Sequence, residues 1–266
     1  MPQPKRSVID ILLPAFSTAL LVGLWYLVHA LMSEEQRFLL PTPLGVLKAL
    51  SKESHTLWGA AQNTFLGALL GFVFAASISF FFSLILSLSP RIRAGFYPHL
   101  MVLQMTPIVV LAPILILWVG AGMKSVVTIT FLICFFPMVV NTTQGLVSTD
   151  ANLVDLFRMC SASKRQEILW LRVPAALPYF FTGLRISAVL APIGAIIGDI
   201  YAGNSAGGQA GLGFLTIVYS SQFKMGALFA TAAVSCAMGF IFVGTVSSLS
   251  WLALNKWHDS YRRSES

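Results

Sequence analysis

Few side chains in this sequence could carry chemistry, and their spacing argues against most reactions. The four histidines, His29, His55, His99 and His258, stand far apart, with no His-x-x-x-His pair and no neighbouring cysteine, so no metal site is expected. No Ser-His-Asp arrangement and no paired carboxylates can be recognised, so no catalytic residue is assigned. Glycines gather in Gly203-Asn-Ser-Ala-Gly-Gly-Gln-Ala-Gly-Leu-Gly, but no Lys-Ser/Thr follows. The run lacks the parts of a phosphate-binding loop and is expected to be an external loop. An enzyme, or any cofactor, is not expected.

What remains is polar groups set in apolar surroundings. Arg185 and Asp199 share one apolar segment. Arg185 is placed about a turn and a half from its start, within reach of headgroups, and Asp199 near its other end, where capping competes with a role in a pathway. Gln104, Pro107, Asn141, Thr142 and Asp199 are the candidate lining of a passage for a polar solute, against the alternative of helix–helix hydrogen bonding. Cys134 and Cys236 fall in apolar segments and Cys160 in a polar one, so no disulfide is expected.

The longest polar feature is an island over residues 150–178. Leu153, Leu156, Phe157 and Cys160 recur at helical spacing, with Asp155 and Arg158 turned away from them. Ser161-Ala162-Ser163 interrupts, and Ser163 with Gln166 three residues on matches a capping box, so a second short helix should begin at Lys164. Pro174 and Pro178 are expected to end it.

These groups must be positioned by membrane helices. The chain is 56% hydrophobic and 10% charged with mean hydropathy +0.79, too apolar for a water-soluble fold of this length. Six segments are long enough to cross about 30 Å of hydrocarbon: roughly 10–32, 58–88, 97–119, 124–148, 179–203 and 227–254. The expected fold class is all-α: a polytopic membrane protein of six spans in a single domain, 1–266, with the island as a cytoplasmic loop. Pro107, Pro113, Pro137 and Pro192, with Gly67 and Gly71, mark expected kinks. A short helix from about Leu44 to Leu50 is expected to lie along the outer surface.

The net charge of +7 does not indicate nucleic acid, because the basic residues are scattered over short loops. They favour a topology instead. With the amino terminus inside, Lys5, Arg6, Arg91, Arg93, Arg158, Lys164, Arg165, Arg172, Lys256, Arg262 and Arg263 are cytoplasmic, which puts both termini there.

The island also carries a family likeness. Asp155-Leu-Phe-Arg-Met-Cys-Ser161, then Leu171-Arg-Val173-Pro174, resembles the coupling loop of the transmembrane subunits of binding-protein-dependent ABC importers, Glu-Ala-Ala, three residues, Gly, nine residues, Ile-x-Leu-Pro. Asp155 stands at the Glu, Leu156 and Phe157 at the alanines, Ser161 at the Gly, Leu171 at the Ile and Val173-Pro174 at the Leu-Pro; the spacing is kept while several identities change. Phe38-Leu-Leu-Pro-Thr-Pro-Leu-Gly, Gln104-Met-Thr-Pro-Ile-Val-Val-Leu-Ala-Pro, Phe181-Thr-Gly-Leu-Arg-Ile-Ser and Gly211-Leu-Gly-Phe-Leu are similar to the nitrate, taurine and aliphatic sulfonate subgroup.

The resemblance implies a permease subunit in a bacterial inner membrane, a homodimer in contact with lipid, working with two cytoplasmic ATPase subunits and an extracytoplasmic substrate-binding protein. It assigns ATPase coupling to Asp155, Leu156, Phe157, Arg158, Ser161, Ala162, Ser163, Pro174 and Pro178. The cargo is a small polar solute: nitrate, a sulfonate such as taurine, or a heterocyclic vitamin precursor. An ion-coupled secondary transporter and a structural membrane subunit are the competing classes; the organised island argues against both.

Overall fold

In this computed structural model, residues 8–203 and 210–254 are described, with side chains from residue 12 onward. The helices in chain order are α1 (Val8–Leu31), α2 (Pro43–Lys52), α3 (Ser54–Leu88), α4 (Pro90–Met105), α5 (Ile108–Val119), α6 (Met123–Val147), α7 (Ala151–Met159), α8 (Lys164–Gln166), a π-helical turn (Glu167–Arg172), α9 (Val173–Ala202), α10 (Leu212–Ser221) and α11 (Met225–Leu254). Among the described residues five helices are long and apolar enough to cross a membrane, and six spans result when α4 and α5 are taken as one broken span.

The centre is a seam of α6 packed along α9 and α3. Glycine makes the close approach possible. A Cβ on Gly71 would sit 2.5 Å from Thr130 Cβ, one on Gly198 2.7 Å from Val126 Cα, and one on Gly145 2.6 Å from Tyr179 Cβ. Helices in lipid gain little from the hydrophobic effect, so close van der Waals contact and interhelical hydrogen bonds must hold them. Ser83 Oγ donates to the Val139 carbonyl at 3.1 Å, and Ser187 Oγ to the Cys134 carbonyl at 3.0 Å. Phe72, Met138, Leu184, Ala188 and Phe242 fill the space around the seam.

The kink expectations divide. At Thr106-Pro107 the chain breaks outright, and α4 and α5 meet at 100°. Gly67 and Gly71 are packing positions within a continuous α3, and Pro113, Pro137 and Pro192 lie inside helices that continue through them. Pro107 differs because the residue before it, Thr106, has left the helical region (ψ 125°), as the steric demand of a following proline favours.

The fifth span requires a correction. Pro174 and Pro178 do not end the helix of the island: helical structure runs unbroken from Lys164 to Ala202. The π-helical turn explains the tolerance of Pro174. Pro174 has no N–H to give to Trp170, and just before it the bonding has widened, with Val173 N–H donating to the Ile168 carbonyl.

α2 lies across the far end, opposite the island. Thr42 caps it by accepting from Gly45 N–H at 3.1 Å, with Pro43 at the first turn. α1 stands apart from the seam, held through Trp25 Nε1 donating to the Pro41 carbonyl and the Trp25–Phe229 ring contact.

Candidate functional site

Two regions carry most of the candidate residues: the island and the far end of the seam. In the island, Asp150 accepts from Asn152 N–H and starts α7. The capping box is present as expected: Ser163 N–H donates to Gln166 Oε1 at 2.8 Å and Gln166 N–H to Ser163 Oγ at 3.3 Å. Between the helices, Ser161 adopts φ 55°, so the serine occupies the left-handed conformation that glycine takes freely. Asp155 and Arg158 pair at 3.5 Å on the exposed face, a contact of little energy. Leu156, Phe157, Cys160, Ala162, Gln166 and Trp170 line a mostly apolar cavity of about 390 Å³, and Trp170 is 76% exposed.

Glu167 and Arg172 lock the island to the seam, and sequence reasoning missed both. Arg172 Nε and Nη2 donate to Glu167 Oε1 at 2.8 and 2.5 Å, while Nη1 reaches the Leu146 carbonyl at the end of α6. Residues five apart on an α-helix face about 140° away from each other. The π-helical turn brings this pair onto one side.

At the far end, Asp199 is 4% exposed. Its Oδ2 accepts from Thr64 Oγ1 at 2.6 Å and lies 3.5 Å from Gly213 N, while Thr64 Oγ1 accepts from Leu212 N–H at 2.8 Å. The carboxylate therefore sits on the first amides of α10, where the positive end of a helix favours an anion. No side chain fits at Gly211, where a Cβ would lie 2.1 Å from Asp199 Oδ2, nor at Gly213, where it would lie 2.2 Å from the Ile196 carbonyl. Asp199 also borders a cavity of about 490 Å³, together with Asn63, Gly120, Gly122, Lys124 and Gly203. Most of the glycine run between Gly203 and Gly211 lies outside the described residues.

The other pathway candidates are not gathered at this cavity. Asn141 Nδ2 donates to the Pro137 carbonyl and Thr142, fully buried, to the Met138 carbonyl. Gln104 and Pro107 are exposed at the α4–α5 break.

Arg185 is much deeper than expected. Gly183 abuts Met138 and Ser187 bonds to Cys134, so Arg185 is level with the middle of the 25-residue α6. At 1.5 Å per residue it is about 15–20 Å from either end, too far for snorkelling. The expectation failed because the span was started at Tyr179. A charge at that depth costs about 3 kcal/mol against lipid, so such residues face the interior or water.

These features define a class: a polytopic helical membrane protein with an ordered two-helix island between spans. Residues 67–257 match the model of the binding-protein-dependent transport system inner membrane component family, and the chain belongs to that family. It is 33% identical over 92% of its length to a probable ABC transporter permease protein of Haemophilus influenzae, covering 96% of that protein. It is 32% identical over 94% to the formylaminopyrimidine transport permease protein ThiX of Halalkalibacterium halodurans, covering 97% of it. The putative aliphatic sulfonates transport permease protein SsuC of Bacillus subtilis is 28% identical over 91%, with 86% of it covered. The fold matches that of a crystal structure of an amino acid ABC transporter with histidines, at TM-score 0.59 and 16% identity, over 78% of this chain and 96% of that one. The chain is an ABC importer permease subunit of the binding-protein-dependent type and a multi-pass membrane protein.

Proposed function

We propose that two copies of this chain form a passage for a small polar solute. In this reading both termini and the island face the cytoplasm, and α7 and α8 dock on separate ATPase subunits. An extracytoplasmic binding protein delivers the solute at the α2–α10 end. The observation that carries it is the island: an apolar cavity with exposed Leu156 and Trp170, set on a polar loop, needs a soluble partner's surface to cover it. Asp155, Leu156, Phe157, Arg158, Ser161, Ala162 and Ser163 form that docking surface. Pro174 and Pro178 belong instead to the rigid helix behind it.

Gln104 and Pro107 at the break, and Asn141 and Asp199, are the pathway residues of this proposal; Thr142, also a candidate, is fully buried in the single chain. For cargo, the names of the relatives favour a formylaminopyrimidine-like heterocycle or a sulfonate.

The reading is tested by reconstituting the chain with its ATPase and binding protein. Phe157→Asp should leave insertion intact and ATP hydrolysis measurable, while solute uptake falls at least tenfold. Unchanged uptake removes the island from coupling.

A further inference from the structure

At the island end of the bundle another cavity, of about 410 Å³, opens between α4 and α6, a size within the range of small-ligand sites. Arg93, Ala94, Tyr97 and Pro98 line it from the first turns of α4, and Thr143 and Gln144 from the last turn of α6. Arg93 is half-buried, and among the described residues its guanidinium makes no ion pair or hydrogen bond. Thr143 is 1% exposed, and its Oγ1 has no hydrogen-bond partner. A helical threonine can return its hydroxyl to the carbonyl one turn back, as Thr142 does to Met138. For Thr143 that carbonyl belongs to Val139, which already accepts from Ser83 across the seam. A buried hydroxyl left unpaired is costly, so this one calls for an acceptor from outside the chain.

Charge and depth indicate which acceptor. No acidic residue borders the cavity or occurs in α4, and the carboxylates of the island are engaged: Asp150 caps α7, Asp155 pairs with Arg158 and Glu167 with Arg172. The 35 residues of α3 extend about 52 Å, beyond a hydrocarbon layer of about 30 Å. Arg91 and Arg93, in the first turn after it, stand at headgroup level.

We propose that this cavity holds the phosphate of an anionic phospholipid headgroup, with Arg93 and Thr143 donating to its oxygens and Tyr97 and Gln144 closing around them. Basic pockets between spans bind such headgroups, and a guanidinium matches phosphate oxygens two at a time. Pro98 has no N–H to give to the Ala94 carbonyl, which leaves an acceptor for a headgroup hydroxyl. Free phosphate offers the same oxygens but no acyl chain to lie along Ile92 and Phe96, exposed next to Arg93 and Tyr97 on α4.

The full chain is purified in detergent, stripped of lipid and titrated with phosphatidylglycerol, phosphatidylcholine or inorganic phosphate. Native mass spectrometry counts the lipid bound, and the unfolding midpoint is recorded alongside. Phosphatidylglycerol should occupy one site about tenfold more tightly than phosphatidylcholine, which has the phosphate but no net charge, and should raise the midpoint. Arg93→Gln should lower that affinity about tenfold or more. Arg93→Lys should keep most of it, and Arg91→Gln, outside the cavity, should leave it unchanged. Thr143→Val separates binding from folding: the lipid-free midpoint should not fall, because no bond is lost, while phosphatidylglycerol binds severalfold more weakly.

Equal affinity for the two lipids would overturn the proposal, and this comparison on the unaltered chain stands even where Arg93→Gln does not insert. So would an affinity that ignores both Arg93→Gln and Thr143→Val. A lower lipid-free midpoint for Thr143→Val would show that the hydroxyl is already satisfied within the chain. An Arg93-dependent rise in midpoint produced by inorganic phosphate alone would give the cavity to a soluble anion and remove the lipid from it.

Discussion

Thr64→Val isolates the hydrogen-bonded joint between α3, α9 and α10. The substitution keeps shape and removes one oxygen, which accepts from Leu212 N–H at 2.8 Å and bonds Asp199 Oδ2 at 2.6 Å, all of it buried. Orphaning the amide costs about 1–3 kcal/mol, and the bond to the carboxylate is worth about as much again, so a loss of roughly 3–5 kcal/mol is expected. Thr64→Ser keeps the oxygen, and losing its methyl costs about 1 kcal/mol. For a chain of this size, that separates the two midpoints by roughly ten degrees. Cys134 offers a native reporter, since its thiol is buried against the Ser187 carbonyl. With Cys160 and Cys236 replaced, a thiol-reactive fluorophore records unfolding as Cys134 becomes reachable. Equal midpoints for Thr64→Val and Thr64→Ser would refute the assignment of the joint to this oxygen.

Ser161 already holds φ 55°, so Ser161→Gly should keep full transport and change stability by no more than about 1 kcal/mol, whereas β-branched Ser161→Val should raise the ATP hydrolysed per solute carried; uptake by both variants checks this. Glu167→Gln removes the charge that holds Arg172 in a largely buried pair and should weaken the island's attachment by about 1–3 kcal/mol. The same coupling ratio reads it, and an unaltered ratio would show that the pair only stabilises the fold. With Cys236 replaced, exposed Cys160 should react with an impermeant maleimide only from the cytoplasmic side, and Ser54→Cys only from the other; the reverse pattern inverts the topology.

The spans were legible because an apolar run of membrane length with few charges has few other uses, and the Ser163–Gln166 box because all its parts lie within four residues. What escaped was either a matter of boundaries or of long range. Starting the fifth span after Pro178 misplaced Arg185 by one to two turns, since nothing local announces that a π-helical turn precedes Pro174 and that the helix continues through Pro178. Proline marked the break at Pro107 no differently from the continuous helices at Pro137 and Pro192. Asp199 could be recognised as unusual, but its partner Thr64 is 135 residues away, and the need for glycine at Gly211 and Gly213 exists only once α10 has landed on the carboxylate. Glu167 and Arg172 looked like two more charges on a polar loop because their five-residue spacing is wrong for an α-helix.

The glycine seam sets the leverage available to the molecule. With backbones in close approach at Gly183 and Gly198, α6 and α9 are expected to move as one rod rather than as two sliding cylinders. The 25 residues of α6 make that rod about 37 Å long. A tilt of about ten degrees imposed where Arg172 grips the end of α6 would swing the opposite end by about 6 Å, the width of a small organic solute. A modest angular input at one surface thus becomes a displacement large enough to open or shut a passage at the other, without any helix needing to bend.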